Sequence, residues 1–143
     1  MKKLILLLLM LNLVFACSIK PSKIEYGKDA CRYCKMTIVQ KTHAAQMITK
    51  KGKPFKYDAV ECLINDLLDR DTSKIELILV TDYLNPATLI DAKTATYLIS
   101  STIKSPMGAN LSAFASKEEA KKFLKSYKDK LYTWQEIKTQ SFK

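Results

Sequence analysis

Apolar positions in this chain follow several rhythms in turn. Residues 4–11 form an unbroken apolar run that resumes past Asn12 and ends at Ala16. Further on, residues 43–49 read as a strand, Lys50-Lys51-Gly52 as a turn in which Gly52 supplies a positive φ, and residues 53–57 as the returning strand. Val60, Leu63, Ile64, Leu67 and Leu68 then recur at helical spacing. Ahead of them Asp58-Ala59-Val60-Glu61 reads as a capping box, Asp58 accepting from the Glu61 amide while Glu61 reaches back. Cys62 lies about 200° round this helix from Val60, off the stripe. It is therefore not simply a core residue of the helix. Residues 75–81 are almost continuously apolar, as expected of a strand central in a sheet.

Asn85-Pro86 breaks the chain, and the same order follows again. Residues 94–101 and 111–114 read as strands. A second capping box, Ser116-Lys117-Glu118-Glu119, opens a helix whose stripe is Ala120, Phe123, Leu124 and Tyr127. Residues 131–134 read as a last strand, and the polar tail from Ile137 carries no pattern. The pattern predicts an α+β fold of two packed ββαβ repeats, residues 29–83 and 84–143. The caps align at an offset of 58 and the stripes at 60, compatible with a diverged duplication.

The first apolar run does not belong to that fold. Lys2 and Lys3 precede it, and it is shorter than the roughly 20 residues a membrane span needs, so residues 1–16 read as an export signal. Val14-Phe15-Ala16-Cys17 resembles a bacterial lipobox, which would make Cys17 a lipidated first residue and anchor the protein to the cell membrane. Ordinary cleavage near Ala16 is the alternative. Residues 17–28, with Lys20-Pro21-Ser22-Lys23, would then be a polar tether. Of 24 basic and 14 acidic residues the signal removes two lysines, leaving a formal charge of +8. Such a balance suits anionic headgroups or an acidic partner. Nucleic acid is disfavoured, because the basic residues are scattered singly and no recognition motif appears.

The candidate chemistry lies in Asp29-Ala30-Cys31-Arg32-Tyr33-Cys34-Lys35-Met36. Two thiols and a thioether this close suit Cu(I) or Zn(II). With Cys17 lipidated, Cys31, Cys34 and Cys62 remain, an odd number that leaves a thiol free or ligating metal. Thr37-Ile38-Val39 favours a strand, which would put Cys34 and Met36 on one face. Three readings stand. A thiol–disulfide centre would use Cys31 and Cys34, although such pairs normally open a helix. A structural zinc site would combine Cys31, Cys34, His43 and Cys62. A Cu(I) site would take Cys34 and Met36 as its core pair and Met107, from Ser105-Pro106-Met107-Gly108, as a third ligand, with Cys31, Cys62 and His43 in reserve. The competing roles for Met36 and Met107 are a core strand position and a plug between the halves. Met47 is expected in the core.

In their order along the chain these residues resemble the nitrous oxide reductase accessory lipoproteins, the NosL family. The resemblance rests on Cys17, Cys31-x-x-Cys34-x-Met36, Gly52-Lys53, Tyr57-Asp58, Cys62, Thr81-Asp82-Tyr83, Ile90-Asp91-Ala92 and Ser105-Pro106-Met107-Gly108. It implies a monomeric, periplasm-facing Cu(I) protein that delivers metal to nitrous oxide reductase with a membrane ABC-type complex. The Cu(I) reading is that of a binding and transfer module without turnover. The resemblance also implies two ββαβ halves similar to the organomercurial lyase core. That family often has Gly where this chain has Lys35. On a strand, Lys35 would face away from Cys34 and Met36 and leave the ligands intact.

Overall fold

The apolar alternation of residues 45–57 closes into a hairpin of β1 (Ala45–Thr49) and β2 (Pro54–Tyr57), with Met47 opposite Phe55. Gly52 turns it at φ 77°, its amide donating to the Thr49 carbonyl at 2.8 Å. This computed structural model describes residues 18–142 of the 143. The signal segment and Cys17 lie outside the described residues.

Strand β3 (Ile75–Thr81) runs antiparallel along the other side of β1, and β4 (Leu89–Asp91) follows beyond it, giving the order β2-β1-β3-β4. β3 is therefore central, as its continuous apolar run requires. β4 has only three residues, too few for an alternation to show. It joins the first sheet although it follows the boundary drawn after Tyr83. The second sheet holds β5 (Thr96–Ile99), β6 (Leu111–Phe114) and β7 (Lys130–Tyr132) in the order β6-β5-β7. Its central first strand repeats the β2-β1-β3 arrangement, so the ββαβ repeat is present in the topology. The sheets meet where Asp82 bridges Ala113 and the Tyr83 amide donates to the Ala113 carbonyl at 2.8 Å.

Helix α1 (Val60–Leu68) packs against β1, β2 and β6. Val60, Leu63, Ile64 and Leu67 are buried as the stripe predicts, whereas Leu68 at the last turn is exposed. One apolar cluster runs through both halves, from Met47, Tyr57 and Val80 to Tyr97, Leu111 and Trp134. A smaller one gathers Leu98, Ile103, Phe114 and Ala120.

The second half departs from its pattern in three places. Helix α2 is only Lys117–Lys121; Ser116 caps it, accepting from the Glu119 amide at 3.3 Å. It stops because Asp129 draws the Lys125 and Ser126 amides onto its carboxylate, at 2.7 and 2.9 Å, which leaves Leu124 and Tyr127 exposed. Trp134 opens a short helix α3 (Trp134–Ile137) rather than ending a strand, since Glu136 accepts from both the amide and the hydroxyl of Thr133. The tail is stitched down. Ile137 is buried, and Asn65 of α1 exchanges two hydrogen bonds with the Phe142 backbone. The tether is likewise held: Ser22 bonds Gln46 of β1 in both directions and Ile24 enters the core.

Candidate metal centre

The strand expected across residues 34–38 does not form. Residues 29–38 double back as a tight loop, with Ala30 bridged to Thr37, the Cys31 amide donating to the Met36 carbonyl at 2.8 Å and the Lys35 amide to the Cys31 carbonyl at 3.1 Å. Lys35 sits at φ 68°, in the left-handed region that ends the turn. Its side chain therefore does not occupy the opposite face of a strand. The turn aims backbone amides at sulfur: that of Cys34 toward Cys31 Sγ and that of Met36 toward Cys34 Sγ. β2 holds the loop in place. The Arg32 amide donates to the Lys56 carbonyl at 2.8 Å, and Lys56 Nζ pairs with Asp29 at 2.7 Å.

The capping box ahead of α1 is also absent. Ala59 is the capping residue, with no side-chain bond, because both acids are engaged elsewhere. Asp58 accepts from the Cys34 thiol at 3.4 Å, and Glu61 accepts from the Ser105 hydroxyl. The result is a nest in which Cys31 Sγ, Cys34 Sγ, Cys62 Sγ and an Asp58 oxygen all lie within 4.8 Å of one another. Cys31, Cys62 and Asp58 are buried and Cys34 lies at the rim; all three cysteines are free thiols. The Cys62 thiol donates to Cys31 and, with the Asp58 and Cys34 amides, brings the Cys31 pKa down to about 6 despite burial. The same bond, together with burial, pushes Cys62 up, while burial pushes Cys34 up to about 11. The hydrogen bonds within the nest thus favour the thiolate at Cys31 over Cys34 and Cys62.

His43 stands apart from this cluster. Its Nδ1 contacts Thr42 Oγ1 at 2.8 Å and its Nε2 Ser112 Oγ at 3.1 Å, with Tyr83 edge-on, and burial lowers its pKa to about 4. The Cys₃His set is thus not assembled; Asp58 stands fourth. Met36 and Met107 are 61% and 38% exposed, so neither fills a core position or plugs the halves, whereas Met47 is fully buried as expected. The Met107 loop is tied to α1 beside Cys62. Glu61 accepts from the Ser105 hydroxyl, and Ser105 Oγ accepts from the Asn110 amide at 2.9 Å.

The family model of NosL matches residues 22–142. The chain belongs to the NosL family. A crystal structure of the copper chaperone NosL from Shewanella denitrificans shares its fold, with a TM-score of 0.73 over 84% of this chain and 96% of that one at 24% identity. A search of curated proteins gave no match.

In this NosL chain two acids escaped sequence reading, Asp58 and Glu61. The local pattern D-x-x-E has a ready meaning as a cap, and only tertiary partners redirect it. The available signal was Cys62 itself. A cysteine off the apolar stripe needs neighbours, and Asp58, four residues before it, is within reach of the same side. Chemically, the nest offers three sulfurs and one hard oxygen, with Cys34 the most exposed of its thiols.

Proposed function

We propose that this protein binds Cu(I) at the Cys31–Cys34–Cys62 nest and hands it on without turnover. The observation that carries the reading is the convergence of three thiols within 4.8 Å around buried positions. Cu(I) favours few, soft ligands, and three sulfurs supply them; Asp58 serves as the acceptor that orients Cys34 rather than as a ligand. Cys34 at the rim, two residues from the exposed thioether of Met36, gives an incoming ligand a route to exchange. The family resemblance and a solved relative described as a copper chaperone support copper as cargo. In the finer reading the recipient is nitrous oxide reductase, served through a membrane ABC-type complex. The protein is then a monomer anchored through lipid on Cys17, facing the periplasm.

Zinc is the second reading, favoured by Asp58, because three thiolates and a carboxylate make an allowed tetrahedral set. Anaerobic competition with coloured chelators decides between them. Cys62→Ser should cost at least about tenfold in Cu(I) affinity, equivalent to about 1.4 kcal/mol, and Met47→Leu nothing. Zn(II) held against the chelator while Cu(I) is surrendered would replace the copper reading. A stable Cys31–Cys34 disulfide that takes up neither metal would favour the thiol–disulfide enzyme.

A further inference from the structure

The tether and the β1–β2 turn meet. Ser18, Ile19 and Lys20 line one groove with Lys50, Lys51 and Gly52. The pinning of Ser22 to Gln46 and of Ile24 in the core holds the chain there, so the segment directly after Cys17 is delivered to a lysine-rich turn. Lys20, Lys50, Lys51 and Lys53 are all exposed. Among the described residues none of the four makes an ion pair, although Lys53 rests over the Phe55 ring at 5.2 Å. Lysines left unpaired on one turn form a site for diffuse anionic charge rather than for a single buried anion. The turn precedes β2 and Asp58 follows it, so the strand separates the patch from the thiol nest by ~15 Å.

We propose that Lys20, Lys50, Lys51 and Lys53 form a docking face for an anionic phospholipid surface, acting beside the lipid on Cys17 as a second membrane contact. A basic patch next to an acyl anchor is a general way to fix a protein on a charged bilayer, each lysine adding to the attraction and salt weakening it. Here it would also fix orientation: the turn end of β2 lies on the headgroups and the nest end points away, open to a partner. The inference is independent of which metal the nest holds.

The test uses the full chain on phosphatidylglycerol and phosphatidylcholine vesicles. On the anionic vesicles, Lys20, Lys50 and Lys51 should acetylate more slowly than on the zwitterionic ones, with Lys122, Lys125 and Lys128 unchanged, and high salt should erase the difference. In a mature chain that carries Cys17→Ser and lacks residues 1–16, where only the patch acts, Lys20→Glu/Lys50→Glu/Lys51→Glu should lower partitioning onto anionic vesicles about a hundredfold. Reversal of Lys122, Lys125 and Lys128 should cost far less. Wild-type and Cys17→Ser chains that sediment alike would refute the lipid on Cys17 and leave the patch standing on its own measurements. Uniform labelling on both vesicles would overturn the proposal. So would equal losses from the two triple reversals, or displacement by inorganic phosphate beyond that caused by sodium chloride of equal ionic strength.

Discussion

Lys35 shows how a single backbone angle shapes the metal loop. At φ 68° an L side chain is held at a cost of about 1–2 kcal/mol that glycine escapes. Lys35→Gly should therefore stabilise the protein by about 0.5–1 kcal/mol in chemical denaturation, after allowance for the greater freedom of the unfolded glycine and the lost bond from Lys35 Nζ to the Arg32 carbonyl. Lys35→Val should destabilise it. His43 supplies a pH test. Its pKa is about 4 in the fold against 6.5 ordinarily, so the unfolded chain takes the proton first as pH falls. Its contribution is complete above about pH 6.5 and lost on descending through about pH 4, roughly 3 kcal/mol in all. His43→Gln should flatten denaturation midpoints over that window. At this scale the three cysteines stood out in the sequence by their softness and odd number, but Cys31 and Cys62 only as reserves behind Cys34, Met36 and Met107. His43 was not, because a lone histidine carries no sign of which partners surround it.

Among the elements, α1 does more than fill the core. One turn of it presents Cys62 to the nest and Glu61 to the loop that carries Met107. Ser105→Ala would remove the hydroxyl donor from a buried carboxylate, at a cost of about 1–3 kcal/mol. Amide hydrogen exchange should then quicken across residues 105–111, leaving α1 protected. Equal exchange in the two proteins would separate Met107's placement from Glu61. Elements with long apolar rhythm, β1, β3 and α1, were readable from the chain. The strand at residues 34–38 was not, because the β-preference of Thr37-Ile38-Val39 yields to a turn whose amides point at sulfur. Helix α2 fell short for a similar reason, since Asp129, some ten residues beyond its start, competes for the backbone amides.

For the molecule as a whole, the ββαβ repeat could be read from element order alone, but the way the halves share work could not. The first half supplies every member of the nest, and the second contributes the Met107 loop and a brace on Glu61. Neither division shows in periodicity, because both depend on which side chains meet across the shared core. Placing Cu(I) in the nest rather than on the exposed thioethers of Met36 and Met107 is the central claim. X-ray absorption at the copper edge, on anaerobic protein carrying one equivalent of Cu(I), tests it most directly. The account predicts three sulfur neighbours that fall to two in Cys62→Ser and stay at three in Met36→Leu. A sulfur count unchanged by Cys62→Ser but reduced by Met36→Leu would contradict it, and would return the ion to Cys34, Met36 and Met107.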